Sequence, residues 1–235
     1  MKIVTRTDIG NIMANNQDGF LVQEGLYPVY AVADGMGGHR GGHVASRMAL
    51  EAMAADLSGH VPNEDTLRKS FIRANKEIFA RQKLEEEVSG MGTTMTVLWE
   101  TPEGFYLGHV GDSRCYLMRE GVLTQMSTDH SLVEELVRDG SLAPEEADNY
   151  PYRNVITRAV GTSKNIHADI SWPEKRPGDR WLLCTDGLTE YIKAPRLRDI
   201  LSTPDLSDAA DCLLNTALDM GGRDNITLIL LEVEA

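Results

Sequence analysis

Four aspartates in this chain stand beside apolar, strand-like runs, and their residue type and position could support metal chemistry. Asp34 and Asp186 each end an apolar run and precede a glycine. Asp112 follows the run from Phe105, and Asp224 comes just before another run. Clustered carboxylates repel one another unless a cation neutralises them, and Mg²⁺ and Mn²⁺ prefer oxygen ligands. If the four positions converge, they form a divalent-cation site at the edge of a sheet.

The composition excludes several classes of protein. The 235 residues carry a net charge of −13, which opposes non-specific binding to nucleic acid or to an anionic membrane surface. A nuclease with a similar metal pair is therefore disfavoured. No apolar run reaches about 18 residues, and the amino terminus lacks a long apolar signal region. We therefore expect neither a membrane span nor a nucleic-acid partner.

The cysteines indicate a reducing environment. Cys115, Cys184 and Cys212 are widely spaced and form no Cys-x-x-Cys motif, which argues against a zinc or thioredoxin-like site. Two of them lie in apolar runs, where a thiol acts as a small hydrophobic group. We expect a cytoplasmic protein. Because no coiled-coil pattern or large apolar stripe demands assembly, we also expect a monomer.

The elements that would position the aspartates are mostly strands. Runs with strand-like patterning are separated by turn residues such as Pro102-Glu103-Gly104. They predict strands at residues 19–22, 29–33, 94–99, 105–110, 115–118, 122–126, 181–185 and 226–233. The four strands between residues 94 and 126 are expected to form one antiparallel meander.

Helical spacing predicts three main helices. The first covers residues 44–57, and the second begins after an N-cap at Asn63 and ends near residue 84. The second helix carries an apolar stripe that we expect to pack on a sheet, made of Leu67, Phe71, Ala74 and Ile78. The third helix covers about 208–220, with Ser207 as N-cap and Gly221 as C-terminal cap.

No linker divides the chain, so we expect one domain over residues 1–235. Strand runs interrupted by paired helices indicate sheets with helices on their outer faces, which is an α+β architecture. Residues 128–160 are the least strand-like part. A short helix is expected at 131–138 and another near residue 143, and we expect this segment to be mobile.

Seven short segments occur in the order typical of one known family. The chain resembles the metal-dependent Ser/Thr protein phosphatases (the PPM, or type 2C, family), particularly the compact bacterial branch. Each segment alone is weak, but seven in order over essentially the whole chain are specific. They are Thr7-Asp8-Ile9-Gly10 with Asn16-Gln17-Asp18, Ala33-Asp34-Gly35-Met36-Gly37-Gly38-His39, Gly92-Thr93-Thr94, Gly111-Asp112-Ser113-Arg114, Asp129-His130-Ser131, Cys184-Thr185-Asp186-Gly187-Leu188, and Gly222-Arg223-Asp224-Asn225-Ile226-Thr227.

The resemblance implies a central sandwich of two antiparallel β-sheets flanked by helix pairs, in four αββα layers. It also implies two Mn²⁺ or Mg²⁺ ions in a cleft at one end of the sandwich. Carried over by position, Asp34 would bridge both ions and the Gly35 carbonyl would bind the first. Asp186 and Asp224 would hold the second ion, and Asp18 would reach a metal-bound water. Asp112 would share a third, weaker site with Asp186.

The implied activity is hydrolysis of phosphoserine and phosphothreonine in phosphorylated proteins, by attack of a metal-bridging hydroxide on phosphorus. A cation pair suits this reaction because it binds the phosphoryl oxygens and activates water. No Cys or Ser nucleophile is then required. A Ser/Thr kinase of the same organism is an expected substrate at family level.

The proton donor to the leaving oxygen is less sharply defined. His39 is the best candidate, because its unperturbed pKa suits work near neutral pH. Eukaryotic relatives usually place a histidine directly after the Asp-Gly pair, where this chain has Met36. A solvated loop histidine is therefore an equally good interpretation of His39.

One departure from the family pattern concerns phosphate binding. The family usually carries an Arg that clamps phosphate where this chain has Met13. A guanidinium binds phosphate through two parallel hydrogen bonds, and a thioether offers nothing comparable. Arg40 could compensate, or the enzyme could rely on its metals. The alternative is a weakly active or inactive member that serves as a phosphoprotein-binding regulatory module.

Overall fold

The computed structural model describes residues 1–234, with the side chains of residues 38–40 and 148 outside that description. The strands in chain order are β1 (Lys2–Asp8), β2 (Gly19–Gln23), β3 (Val29–Ala33), β4 (Gly35–Met36), β5 (Gly92–Thr93), β6 (Met95–Glu100), β7 (Phe105–Val110), β8 (Arg114–Arg119), β9 (Val122–Gln125), β10 (Asp169–Ser171), β11 (Arg180–Cys184) and β12 (Ile226–Glu232). The α-helices are α1 (Gly38–Leu57), α2 (Glu64–Leu84), α3 (Leu132–Arg138), α4 (Asp186–Thr189), α5 (Ala194–Leu201) and α6 (Leu206–Asp219).

In the described chain the strands form two five-stranded sheets and one small ribbon. The order is β1-β12-β11-β8-β9 in the first sheet and β10-β7-β6-β3-β2 in the second, while β4 pairs with β5. Every pairing is antiparallel. The strand order is not sequential, so residues far apart in the chain become neighbours.

Three apolar layers hold the sheets and helices together. Because side chains alternate along a strand, Tyr30 and Val32 of β3 face the space between the sheets, and the remaining residues of β3 face α1 and α2. In the same way, Trp181 of β11 packs between the sheets, and Leu182 packs towards α5 and α6. The rings of Trp181 and Phe105 meet edge to face across the two sheets, with centroids 5.0 Å apart. The α+β fold with four αββα layers is therefore confirmed.

Helix α2 begins and packs as the sequence predicts. The Asn63 side chain accepts a hydrogen bond from the N–H of Thr66 at 2.8 Å and caps the helix. The predicted stripe is buried against the second sheet, with Leu67 and Phe71 fully covered. Acidic residues in the first turn and basic residues in the last turn suit the helix dipole.

The predicted single meander is wrong. β6 pairs with β7 in one sheet, and β8 pairs with β9 in the other. The connection through Gly111, Asp112 and Ser113 carries the chain from one sheet to the other. Period-two patterning is the same in both sheets, so the sequence pattern could not show where the chain crosses.

Two helix starts also differ from prediction. α1 begins at Gly38 rather than at residue 44. The glycine-rich sequence before residue 44 lacks the apolar spacing by which a helix is predicted. α6 is capped by Asp205 rather than by Ser207, with the carboxylate accepting from the N–H groups of Ser207 and Asp208 at 2.8 and 3.0 Å. A carboxylate is as good a cap as a hydroxyl and is also favoured by the helix dipole.

Residues 128–160 contain α3 and a 3-10 helix at Pro144–Asn149. Ser131 caps α3 through its hydroxyl, so the short helix is confirmed. Mobility of this segment stays a prediction. Among the described residues, no helix combines the length and hydrophobicity that crossing a bilayer requires.

Candidate metal centre

Five segments of the chain deliver carboxylates to one end of the sandwich. Asp34 follows β3 and Asp186 follows β11, so each sheet contributes one strand end. The connections β1–β2, β7–β8 and α6–β12 add Asp18, Asp112 and Asp224. The charges of the other four aspartates all act on Asp34. The structure thus brings together all five aspartates that the sequence singled out.

The electrostatics of the cluster are those of buried like charges. Burial, with the nearby charges of Asp186 and Asp224, raises the pKa of Asp18 to about 7. Burial and the charge of Asp224 raise the pKa of Asp186 to about 6. The pKa values of Asp34 and Asp112 are raised well above the usual range, again first by burial and then by neighbouring aspartates. The ionised cluster is costly without positive charge.

The pattern of hydrogen bonds shows where positive charge would bind. Within the described chain, Oδ1 of Asp18, Asp112 and Asp186 is buried and has no hydrogen-bond donor. Buried polar atoms are almost always paired, so three unpartnered carboxylate oxygens in one cluster indicate a cation site. Hard divalent cations fit such an all-oxygen donor set.

Among the residues that the structure describes, no three or more His, Cys, Asp or Glu side chains are placed so that they could hold a metal ion together as they stand. Like-charged carboxylates disfavour each other's ionised form, and a cation between them would remove that cost. The donor types therefore fit a divalent cation, while the bound geometry depends on the ions themselves.

Threonine side chains fix the strand end that carries Asp34. The N–H of Asp34 donates to Thr94 Oγ1 at 2.8 Å, and its carbonyl accepts from the Thr93 hydroxyl at 2.8 Å. The Thr94 hydroxyl also contacts Ser113 Oγ at 2.7 Å, beside Asp112. The backbones of two proposed ligands are therefore joined through two hydroxyl groups.

A third threonine fixes Asp18. The Thr185 hydroxyl donates to Asp18 Oδ2 at 2.8 Å and accepts from the N–H of Thr227 at 3.0 Å. Thr185 directly precedes Asp186. The hydroxyl orients one oxygen of Asp18 and leaves the other oxygen, Oδ1, for a cation.

Asn225 has a structural role that sequence reasoning missed. Its side-chain amide donates to the carbonyls of Ile9 and Asn15 at 2.9 and 3.1 Å, and its carbonyl accepts from the N–H of Gln17 at 2.8 Å. It therefore fastens the β1–β2 connection to the residue that follows Asp224. The only signal in the sequence was its place in the last family motif.

Close packing of the backbone requires glycine at position 35, directly after Asp34. A Cβ on Gly35 would lie 2.1 Å from the carbonyl oxygen of Gly42 and 2.6 Å from that of Gln17. No larger residue fits without displacing backbone. This packing is compatible with the metal-binding role predicted for the Gly35 carbonyl, which stays a prediction.

The predicted substrate residues are less well defined. Met13 lies in the β1–β2 connection with 37% of its surface exposed. The side chains of His39 and Arg40 fall outside the described residues. Their roles as proton donor and phosphate ligand stay predictions.

A cleft lies beside the carboxylates, at the end of the sandwich where the resemblance implied one. It encloses about 150 Å³ and reaches from Asp112 and Asp186 to Ser131 and Glu134, at the start of α3. Arg114 lines its wall, held by Asp129 through two nitrogens at 2.6–3.0 Å. The segment 128–160 thus forms one side of the cleft.

Comparison with known proteins agrees with this geometry. The family model for protein phosphatase 2C matches residues 13–219. The serine/threonine phosphatase stp of Listeria monocytogenes is 39% identical over 236 residues, which cover 97% of this chain and 94% of the relative. The catalytic domain of the phosphatase PstP, solved in complex with two manganese ions, superposes with a TM-score of 0.89 at 35% identity and covers 100% of this chain and 98% of that one.

The full-length serine/threonine protein phosphatase PstP of Mycobacterium tuberculosis is 38% identical over 236 residues. That match covers 99% of this chain but 45% of PstP, so the chain spans about half the length of that relative. The family model covers most of the chain, and the motifs that suggested the family lie on the strand ends and loops of the carboxylate cluster. The chain belongs to the protein phosphatase 2C family.

Proposed function

We propose that the chain is an active, divalent-cation-dependent phosphatase that hydrolyses phosphoserine and phosphothreonine in proteins. The observation that carries the proposal is the cluster of five aspartates with three buried, unpartnered carboxylate oxygens. The named activities of the Listeria and Mycobacterium relatives support the same reaction.

Each carboxylate has a proposed role. Asp34 would hold two cations together, with the Gly35 carbonyl as a further ligand of the first. Asp186 and Asp224 would hold the second cation, and Asp18 would reach a water beside the ions. Asp112 would serve a third, weaker cation together with Asp186. The cations are Mn²⁺ or Mg²⁺, and the structure of PstP with two manganese ions supports a pair of divalent ions.

When bound, the cations supply Lewis-acid activation of water and neutralise the phosphoryl oxygens. The protein's own residues do the rest. The Thr185 hydroxyl orients Asp18, and the Thr94 hydroxyl fixes the strand end at Asp34. Burial lowers the local dielectric constant, which strengthens the electrostatic interactions in the site. His39 donates the proton to the departing serine or threonine oxygen.

The rest of the molecule fits this role. Residues 1–235 act as a single catalytic domain, and the segment 128–160 moves over the cleft that it borders. The substrates are phosphorylated proteins, including a Ser/Thr kinase. The protein works as a monomer in the cytoplasm. The free thiols of Cys115, Cys184 and Cys212 fit a reducing compartment.

The alternative hypothesis of a weakly active or inactive, phosphoprotein-binding module is not favoured. Its only support is Met13 in place of the phosphate-clamping Arg. All the carboxylates proposed to hold cations are present and clustered, so the enzyme relies on its metals or on Arg40 for phosphate binding.

Hydrolysis of p-nitrophenyl phosphate tests the proposal. We expect turnover with Mn²⁺, none with EDTA, and a loss of at least about 100-fold in Asp34→Ala and Asp186→Ala, because each removes a shared cation ligand. Asp65→Ala, on the exposed first turn of α2, is the matched control and should retain full activity. Turnover that survives EDTA or both substitutions would contradict the assignment.

A further inference from the structure

His130 is a buried histidine that the proposed reaction does not use. It opens the segment 128–160, is only 4% exposed, and lies in a cluster with His109, Arg158 and Asp169. A buried imidazole carries a desolvation cost, so its contacts should show what it is for.

Its main contact is with the backbone of the residue before Asp112. The N–H of Gly111 donates to His130 Nδ1 at 3.1 Å, and the N–H of His130 donates to the Gly111 carbonyl at 2.7 Å. Gly111 has a φ of +111°, and a Cβ there would lie 2.6 Å from the Thr94 side chain. Glycine is the residue that reaches this conformation without strain, and His130 fixes its backbone through both the N–H and the carbonyl.

The contacts select one form of the ring. Because Nδ1 accepts from Gly111, the ring proton is on Nε2, which donates to Asp169 Oδ2 at 3.2 Å. Nη1 of Arg158 also lies 3.2 Å from Nε2, but both groups are then donors and form no hydrogen bond with each other. Burial and the Arg158 charge lower the pKa of His130, which favours this neutral form. Asp169, itself bonded by Arg158, therefore fixes the tautomer that Gly111 requires.

The backbone of His130 also joins the two ends of the segment 128–160, which we call its base. Its carbonyl accepts from the N–H of Thr157 at 2.8 Å, and the next residues continue the contact through the N–H of Leu132 and the Val155 carbonyl at 2.8 Å. The two ends of the segment thus meet at His130. A single residue bonds both to that base and to the loop of Asp112.

We propose that His130 is a positioning residue that holds the Gly111 backbone so that Asp112 faces Asp186, and that it couples cation binding at Asp112 to the base of the segment 128–160. This inference rests on the proposed role of Asp112 as a ligand of the third cation. Its consequence is that breaking the imidazole–Gly111 bond weakens the Asp112 site without touching a ligand.

Mn²⁺ binding, followed as the loss of the free-ion electron paramagnetic resonance signal, tests it. Asp112→Ala first identifies the class of bound ions that belongs to Asp112. His130→Leu should weaken this class at least 10-fold. His130→Asn, whose side-chain oxygen takes the place of Nδ1, should restore it to within 3-fold of the parent. His130→Gln places its polar atoms at the Nε2 position and should behave like His130→Leu.

The matched control is Asn75→Leu. Asn75 is also buried, and its side chain accepts from the N–H of another positive-φ glycine, Gly161, at 2.7 Å. That substitution should lower the melting temperature as His130→Leu does but leave the Asp112 class unchanged. If His130→Leu does not fold, the Asn and Gln variants decide.

The outcomes separate this inference from the proposed function. Equal Mn²⁺ binding in the Asn and Gln variants, or in His130→Leu and Asn75→Leu, would overturn the proposed role of His130. The proposed function would not be affected by that result. An Asp112→Ala variant with an unchanged isotherm would overturn it as well, because Asp112 would then not be a ligand. A parent protein that binds no Mn²⁺ would overturn the proposed function itself.

Discussion

At the scale of single residues, the site is a balance between burial and charge. Burial disfavours ionised aspartates, and each ionised carboxylate raises the pKa of its neighbours. A cation reverses the balance by stabilising the ionised forms. The same groups that make the ionised cluster costly are therefore the ones that a bound divalent cation would stabilise.

This balance predicts a pH-dependent effect of Mn²⁺ on stability. The pKa of Asp18 is raised to about 7 and that of Asp186 to about 6, above the unfolded value of 3.8. The folded state thus binds more protons than the unfolded state, and the free energy of unfolding falls as the pH rises from 3.8 to about 7. Mn²⁺ removes this loss, so it should raise the melting temperature more at about pH 7.5 than at about pH 5. Thermal scans with Mn²⁺ and with EDTA measure the difference, and equal shifts at both pH values would contradict it.

Met13 gives a second prediction at this scale. Met13→Arg should lower KM for p-nitrophenyl phosphate about 3- to 10-fold, because a guanidinium can bind the phosphate through two hydrogen bonds. Ile12→Arg, at the exposed neighbouring position, adds the same charge and should leave KM nearly unchanged. An unchanged KM in Met13→Arg would mean that this position does not face the phosphate.

At the scale of elements, the loops at one end of the sandwich are joined by side-chain hydrogen bonds. Asn225 ties the β1–β2 connection to the α6–β12 connection. Thr94 and Ser113 tie the end of β3 to the crossing between the sheets. Strand ends alone give approximate positions, and these bonds between loops fix them.

Asn225→Ala should therefore lower both stability and cation affinity. It removes three hydrogen bonds that the buried Asn225 side chain makes to the backbones of Ile9, Asn15 and Gln17, at a cost of about 2–3 kcal/mol. Asn11→Ala removes two similar bonds at an exposed position, where water can replace them, and should cost less than about 1 kcal/mol. Urea unfolding with and without Mn²⁺ measures both effects. Equal losses in the two variants would show that burial at Asn225 is unimportant.

At the scale of the whole molecule, the layer between the sheets sets the distance between the strand ends. Asp34 belongs to one sheet and Asp186 to the other, so packing of side chains such as Tyr30 and Leu183 determines how their carboxylates meet. Interiors are close-packed, and a change in this layer is transmitted to the site.

Leu183→Ala should cost about 2–5 kcal/mol, because it leaves a cavity in a fully buried layer. Leu26→Ala, at a position that is 84% exposed, should stay within about 0.5 kcal/mol of the parent. Urea unfolding compares them. A small loss in Leu183→Ala would mean that the layer between the sheets readjusts freely.

Local patterns sufficed for much of this protein. Apolar runs bounded by turn residues predicted β3 and β7 at their observed bounds, and Asn63 predicted the start of α2, because both signals depend on residues close in sequence. The order of seven motifs predicted the family, the two sheets and the five clustered aspartates.

The tertiary structure decided what depends on residues distant in sequence. Only the fold shows that the chain crosses between sheets at Asp112, that Asn225 joins two loops and that His130 bonds to Gly111. Period-two patterning is identical in both sheets, and a polar side chain does not reveal its partner. The sequence by itself therefore determined which carboxylates gather at one end of the sandwich, and the packing of the two sheets determined how they are held.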